Sequence, residues 1–348
     1  MTKSPVKILT IVGARPQFVK AAVVSRALSK RTEVSEIIVH TGQHFDSNMS
    51  AIFFDEMNIP RPHYALALKG AQHGSMTGGM MIDLEPIMLD EKPDWVLVYG
   101  DTNTTLAGAL CASKLGIGLV HIEAGLRSFD RAMPEEINRV LTDHVSNLLF
   151  APTESAIDNL KAEGIVKGVH QVGDVMYDAT LMLMEEAKKG NWLEPMGLSP
   201  NHYDLATLHR ASTTETKESL SKAVSALKEQ SEGRTLVIPL HPRTKAAALN
   251  WGVSLDGLMV LDPVGPIQMH ALLAGCHQVF TDSGGLQKEA YFHQKPCITL
   301  RDTTEWVETI ESGWNRLWTV ADFAQPRRSI SDYGDGHASE AIVAKWLD

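Results

Sequence analysis

The sequence predicts an α/β protein built from two doubly wound, Rossmann-like domains, and three observations carry that prediction. Short continuous apolar runs alternate with helical patterns through both halves of the chain. Runs of this kind with crossover helices between them indicate parallel sheets covered on both faces. The 348 residues are too many for one core at ~100–200 residues per domain. Near the middle, Lys188–His202 carries two Gly, two Pro and two Asn, which suits a connection between domains.

In the N-terminal half the apolar runs are Ile8–Val12, Ile37–His40, Trp95–Tyr99, Gly118–Ile122, Leu148–Ala151 and Val169–Val172. Helical patterns fill the gaps at Phe18–Ser29, Asn48–Met57, Met76–Leu89, Thr104–Lys114, Pro134–Val145 and Glu154–Glu163. A further helix, near Tyr177–Lys189, can belong to either half. The second series has strands at Asp204–Leu208, Thr235–Leu240, Leu258–Leu261, Gln278–Thr281 and Cys297–Leu300. Its helices fall at Glu215–Gln230, Thr244–Leu249, Ile267–Ala274 and Leu286–His293, and Glu340–Leu347 closes the chain. About eleven strands exceed the eight of a (β/α)₈ barrel. The expected division is residues 1–175, residues 176–335, and a terminal helix, 336–348, packing back on the first domain.

Composition narrows the function classes. With 42 acidic against 32 basic residues, net charge −10 and no basic block, a general nucleic-acid binder is not expected. The three cysteines, Cys111, Cys276 and Cys297, form no close pair and read as thiols of a reducing compartment. The chain starts straight into an apolar strand without a signal-peptide pattern. It contains no run of ~18 apolar residues, so a cytoplasmic protein without membrane association is expected.

The chemistry-bearing residues cluster at strand ends, the edge that faces ligands in open parallel sheets. Gly13-Ala14-Arg15-Pro16-Gln17 leads from the first strand into a helix, so Arg15 and Lys20 can face a phosphate with helix amides as further donors. It is neither a GxGxxG nor a GxxxxGK[ST] motif. Asp101 follows the third apolar run and can orient a hydroxyl or move a proton; equally, Asp101 or Thr102 can cap the next helix. Glu123 ends the following strand, and Pro134 puts Glu135 and Glu136 in a first helical turn, where acids also simply complement the helix dipole. Should Asp101, Glu123 and Glu135 converge, their pKa values separate and supply an acid and a base. No metal site is expected, since His121 and Glu123 lack a third ligand at convincing spacing. In the second half His209, Arg210 and His241 sit just past strands, as catalysts or as structural partners. Thr281-Asp282-Ser283-Gly284-Gly285-Leu286-Gln287-Lys288-Glu289 turns a strand into a helix through two glycines. Ser283 with the Gly284 and Gly285 amides can cradle a diphosphate, and Glu289 can accept two ribose hydroxyls; a plain serine-capped turn is the alternative. Arg301 follows the next strand as a charge partner or substrate contact.

Taken in order, the blocks Gly13–Lys20, Gly100–Thr102, His121–Arg127, Pro134–Arg139, His209–Arg210 and Thr281–Glu289 resemble the non-hydrolysing UDP-N-acetylglucosamine 2-epimerase family over roughly Lys7–Thr319. The resemblance implies two Rossmann-like domains facing across a cleft in a glycosyltransferase-B arrangement, and a cytoplasmic homodimer that supplies precursors for bacterial surface polysaccharides such as capsule or O-antigen. It implies interconversion of UDP-N-acetylglucosamine and UDP-N-acetylmannosamine through UDP elimination to a 2-acetamidoglycal and re-addition, with no cofactor. It places Asp101, Glu123, Glu135 and His209 around the sugar. Arg15, Ser283, Gly284, Gly285 and Glu289 fall around UDP, with Lys20, Arg210 and His241 in or near the same cleft. In some relatives a second UDP-sugar acts as activator, for which Gln43, His44 and Arg210 are candidates.

Two departures bear on substrate. Relatives carry Gly-Thr-Arg-Pro-Glu and His-Arg-Arg-Glu-Asn where this chain has Gly13-Ala14-Arg15-Pro16-Gln17 and His209-Arg210-Ala211-Ser212-Thr213. The stretches Phe53–Pro60 and Arg127-Ser128-Phe129 are closer to the branch acting on a UDP-2,3-diacetamido-2,3-dideoxy-glucuronate. A hydrolysing 2-epimerase that releases UDP, a retaining glycosyltransferase and a non-catalytic UDP-sugar-binding protein are the competing readings.

Overall fold

The computed structural model describes residues 5–43, 54–57, 59–67 and 72–348. By contact density the chain divides into two compact units, Met1–Ala179 with Ser331–Asp348, and Thr180–Ile330. The boundary lies inside a helix, Val175–Ala187, and not in the Gly- and Pro-rich stretch at 188–202. Leu193 and Met196 of that stretch pack against the core of the second unit; burying them there explains why the turn-forming composition does not mark a free linker.

The first unit contains the strands β1 (Val6–Val12), β2 (Val34–His40), β3 (Tyr64–Ala65), β4 (Trp95–Tyr99), β5 (Gly118–Ile122), β6 (Leu148–Ala151) and β7 (Val169–Gln171). They form one sheet in the order β3-β2-β1-β4-β5-β6-β7, and every pair is parallel. Its helices are α1 (Arg15–Leu28), α2 (His73–Glu91), α3 (Asn103–Leu115), α4 (Pro134–Val145) and α5 (Glu154–Ala162), and α6 (Val175–Ala187) crosses from it into the second unit. Period-2 alternation sends Leu9, Ile11, Val96 and Val98 to one face of the sheet. There they meet Met80, Leu84 and Met88 of α2 and Ala107 and Cys111 of α3. Gly108 lets α3 lie close on the sheet, since a Cβ there would come within 2.8 Å of Ile11.

The second unit has β8 (Tyr203–Thr207), β9 (Thr235–Pro239), β10 (Leu258–Leu261), β11 (Val279–Thr281), β12 (Cys297–Thr299) and β13 (Asn315–Leu317). They follow the order β10-β9-β8-β11-β12-β13, again all parallel. Helices α7 (Ala211–Thr214), α8 (Lys217–Gln230), α9 (Pro242–Trp251), α10 (Pro266–Gly275), α11 (Gly284–Phe292) and α12 (Val307–Glu311) accompany them. One apolar cluster joins α8 and α9 to one face through Leu220, Leu227, Ala247, Ile238 and Phe280, and another joins α10 and α11 to the other through Leu205, Leu272, Val279 and Leu286.

The closing helix α13 (Ala338–Leu347) returns to the first unit. Asp178 of α6 accepts bonds from the backbone N–H groups of Ala338, at 3.0 Å, and Ser339, at 2.7 Å, at its start. Trp346 meets Trp95 edge to face at 5.9 Å, and Lys30 of α1 pairs with Glu340 at 2.6 Å.

Thirteen strands stand among the described residues against the eleven counted from apolar runs. The additions, β3 and β13, span two and three residues, too short for any periodicity to register. Asn315 of β13 is buried through hydrogen bonds to Thr299, at 2.9 Å, and Gln287, at 3.1 Å, so polar pairing and not apolarity seats it. Helix α1 begins at Arg15, three residues before the expected Phe18, because Pro16 suits its first turn. Of the expected helix Asn48–Met57, residues 48–53 lie outside the described residues.

Candidate functional site

Both sheets reverse strand order once, between β1 and β4 and between β8 and β11. Carboxyl-end loops separate at such switch points and leave a crevice for ligands. Every candidate block sits on these loops or on the ones beside them.

In the first unit, the turn after β1 is packed from below. A Cβ on Gly13 would collide with the Thr41 and Thr104 hydroxyls, so glycine is required. Gln17 Oε1 accepts from the Gly13 and Ala14 N–H groups at 2.8 and 3.0 Å, and its amide nitrogen donates to Tyr99 O at 3.0 Å. A glutamate could not make that last bond while ionised, so glutamine at this position ties the β1 turn to the end of β4. Arg15 opens α1 and is partly exposed. Gln43 Oε1 accepts from the Thr104 N–H at 3.0 Å; His44 lies outside the described residues.

Beyond β4, Thr102 takes the capping role for α3 and accepts from the Thr105 N–H, which leaves the Asp101 side chain for another partner. That partner is Arg139 of α4, 2.5 Å from Asp101 Oδ2. Gly100 has φ +62°, and a Cβ there would lie 3.0 Å from Glu123 Oε2 and 3.2 Å from Lys20 Nζ. Glu123 is buried and forms an ion pair with the equally buried Lys20. Lys20 therefore stands among the carboxylates. Glu123 has φ +70°, a left-handed conformation that costs a side-chain-bearing residue of order 1–3 kcal/mol. The turn is held there by Phe150 O, which accepts from the Glu123 and Ala124 N–H groups at 3.0 and 3.1 Å.

Burial pushes the Asp101 carboxyl above its ordinary range; Arg139 pulls it back, and Glu123 and Glu135 add to the rise. Asp101, Glu123 and Glu135 are thus brought together with Lys20 and Arg139. Glu136, one residue on, has a structural task. It accepts from the Ser128 and Phe129 N–H groups, each at 2.9 Å, and pairs with Arg139 at 2.7 Å. Burial pushes its carboxyl up, but these bonds outweigh it and hold the group below the usual range.

In the second unit the organising residue is Asp282, which is fully buried. Its carboxylate accepts from the His209 N–H at 3.0 Å and the Arg210 N–H at 2.9 Å, and lies 3.4 Å from His209 Nδ1. It thereby joins the loops after β8 and β11. The His209 ring lies 5.9 Å from that of His241, whose Nδ1 accepts from the Arg243 N–H and caps α9. Ser283 caps α11 by accepting from the Leu286 N–H at 3.4 Å. Gly284 and Gly285 open that helix, where first-turn N–H groups have no intrahelical partner. A Cβ on Gly284 would strike Glu305 Oε1. Glu305 in turn lies 2.9 Å from Arg301 and 3.9 Å from Arg210, so Arg301 is a held charge partner and not a solvent-facing one. Burial raises the Glu289 carboxyl to about 7, against the pull of Lys288.

Arg139 and Asp282 both stand within the sequence motifs, but their tasks are visible only in the structure. Arg139 was legible in principle: four residues after Glu135, it shares that residue's helix face. Asp282 had no signal beyond its place between a strand and two glycines. Among the described residues no helix is long and apolar enough to cross a membrane.

Residues 26–346 match the family described as UDP-N-acetylglucosamine 2-epimerase. The chain is 54% identical over 97% of its length to the UDP-2,3-diacetamido-2,3-dideoxy-D-glucuronate 2-epimerase of Pseudomonas aeruginosa, covering 98% of that protein. It is 52% identical to a UDP-N-acetylglucosamine 2-epimerase homolog of Methanococcus maripaludis, over 89% of this chain and 88% of that one. Among solved structures, the Methanocaldococcus jannaschii UDP-GlcNAc 2-epimerase in complex with UDP-GlcNAc and UDP superposes with a TM-score of 0.89 at 41% identity, over 97% of this chain and 99% of that one. Both units are Rossmann-like, the pair of folds that makes up the glycosyltransferase-B class. The switch-point chemistry, the two matching sheets and these likenesses along nearly the whole chain lead to one statement: this protein belongs to the UDP-N-acetylglucosamine 2-epimerase family.

Proposed function

We propose that the protein is a non-hydrolysing UDP-sugar 2-epimerase that interconverts UDP-N-acetylglucosamine and UDP-N-acetylmannosamine. The observation that carries this is the gathering of Asp101, Glu123 and Glu135 with Lys20 and Arg139 at the carboxyl ends of β4 and β5. The C2 proton of such a sugar is not adjacent to a carbonyl and resists direct removal. Breaking the C1–O bond, with UDP taking the electron pair, gives C1 oxocarbenium character and acidifies C2–H. A carboxylate takes the proton, and the C–H electrons form the C1=C2 bond of a 2-acetamidoglycal. Protonation on the opposite face and return of the UDP oxygen to C1 invert C2.

Two faces require two proton-handling groups. Glu123 and Asp101 are the leading pair, the raised Asp101 carboxyl suiting the member that carries the proton, with Glu135 tuning them. Within the second unit Ser283, Gly284 and Gly285 offer the donors that stabilise a departing diphosphate, and within the first unit Arg15, at the start of α1, is a cation suited to phosphate. Lys20 supports the carboxylates of the first unit; in the second unit Arg210, His241 and Arg301 support the diphosphate turn, and His209 assists departure. The formal changes at C1 and C2 cancel, so no net oxidation occurs and the route needs no nicotinamide.

Glu289 gives a pH signature. Only its ionised form accepts two ribose hydroxyls, so UDP binding favours that form. Affinity should therefore rise with pH through about 7 and level off above it. Titrating UDP across neutral pH checks this, and Glu289→Gln should lose the component due to the enzyme.

The likeness to the Pseudomonas aeruginosa enzyme favours a second reading, the 2,3-diacetamido uronate as substrate. That sugar has no C3 hydroxyl to oxidise, which again suits elimination. We place the enzyme in the cytoplasm, supported by three free, buried cysteines. We also infer a homodimer, supported by α2, which exposes Ile82 and Leu89 opposite its buried Met80, Leu84 and Met88. One experiment tests the whole reading. Both UDP-sugars are incubated in deuterated water with enzyme whose mass is measured by light scattering. Deuterium should enter C2, both epimers should form without accumulation of free UDP, and the particle should weigh twice the 38.2 kDa chain. UDP release without epimers indicates a hydrolase, and binding without exchange removes the enzyme reading.

A further inference from the structure

One buried side chain outside the proton-handling group bonds the loop that carries Asp101 directly and reaches the loop that carries Glu123 through Asp143 of α4. His121, in β5, is fully buried. Its Nδ1 lies 2.7 Å from Asp143 Oδ1 and its Nε2 lies 2.8 Å from Gly100 O. A backbone carbonyl is only an acceptor. Asp143 is also an acceptor: its Oδ2 takes bonds from Arg127 Nη1 at 2.7 Å and the Gly125 N–H at 3.1 Å. Burial pushes the Asp143 carboxyl up, but the charge and hydrogen bond of His121, then those of Arg127, outweigh it and hold the group low. With acceptors at both ends, both ring nitrogens are placed to donate.

One acceptor lies in the loop that carries Asp101, and the other, Asp143 of α4, holds the loop that carries Glu123. Gly100 O belongs to the peptide that precedes Asp101, at a residue already in the left-handed region. Asp143 grips Gly125, two residues past the strained Glu123. Side chains near a core histidine ordinarily need only fill space; here each nitrogen fixes one carboxylate-bearing loop, and Arg127 braces the assembly through Glu163 at 2.7 Å.

We propose that His121 is a positioning residue that sets the spacing between Asp101 and Glu123 by donating from Nε2 to Gly100 O and from Nδ1 to Asp143. The proposal rests on the 2-epimerase reading above. Two variants separate its arms, because the asparagine amide nitrogen overlays ring Nδ1 and the glutamine amide nitrogen overlays ring Nε2. His121→Asn keeps the Asp143 bond and releases Gly100. It should lower kcat and C2 exchange by about 10²-fold, the cost of a roughly 1 Å misplacement, with KM little changed. His121→Gln keeps the Gly100 bond and should recover most of that loss. Rates are taken per folded molecule, so a loss of stability alone moves neither. His121→Asn exchanging at the wild-type rate would overturn the proposal. Should a variant fail to fold, ¹⁵N NMR of the wild-type ring decides: one-bond N–H couplings at both nitrogens support it, and a bare ring nitrogen overturns it. Wild-type protein that exchanges neither UDP-sugar fails the 2-epimerase reading itself, and the proposal falls with it; a wild type that exchanges beside a fully active His121→Asn fails the proposal alone.

Discussion

Replacing Glu123 with glutamine should lower C2 deuterium exchange and epimer formation by ~10²–10⁴-fold, the contribution of one positioned acid or base, while UDP binding stays near wild type. The substitution keeps size and one acceptor oxygen, so the turn after β5 can persist on its two bonds to Phe150 O. What it removes is the basic carboxylate and the ion pair with Lys20. Breaking a buried pair leaves the partner uncompensated and typically costs ~3–5 kcal/mol, so melting temperature has to be followed alongside rate. The double variant Glu123→Gln, Lys20→Met separates the two effects: it should regain stability without regaining exchange. The proton assignment fails for Glu123 if the folded single variant exchanges C2 as fast as wild type.

The second large effect is expected at Asp282→Asn. The carboxylate is fully buried and accepts N–H groups from two successive residues, His209 and Arg210, with both oxygens. An asparagine has one oxygen. Its amide N–H groups would face backbone donors, and a buried donor left without a partner costs about 1–3 kcal/mol. The loop after β8 should therefore detach from the loop after β11, moving His209 and Arg210 away from the Ser283–Gly285 turn. UDP binding should weaken by about 10–100-fold, which is what that energy amounts to, and turnover should fall with it. Calorimetric titration with UDP checks the prediction; wild-type affinity in a folded Asp282→Asn protein would remove Asp282 as the organiser of this edge.

These two residues differ in how visible they were. Glu123 ends a clean apolar strand, Gly118–Ile122, and the carboxyl ends of parallel strands are where ligands sit, so its candidacy followed from pattern alone. Asp282 also ends a strand, yet its work is done toward β8, 73 residues earlier in the chain for His209 and 72 for Arg210. No local pattern encodes that partner. Glu135 and Glu136 divide in the same way. Both are first-turn acids after Pro134, but only Glu136 folds back on Ser128, Phe129 and Arg139, and the loop that it meets has no periodicity to read.

The sequence by itself determined the fold class, the order of the long strands and helices, and the strand-end residues that can carry the chemistry. Those features rest on hydrophobic periodicity, on glycine and proline placement and on residue type, which are local properties. Tertiary structure alone decided which charges pair. It set Lys20 on Glu123, Arg139 on Asp101 and Asp143 between His121 and Arg127. It also decided that the chain crosses between units within α6 and that two-residue and three-residue strands complete the sheets. The reason is physical: a buried charge is tolerable only beside a partner, and the partner is chosen by the register of parallel strands and the helices between them, which bring together residues tens of positions apart.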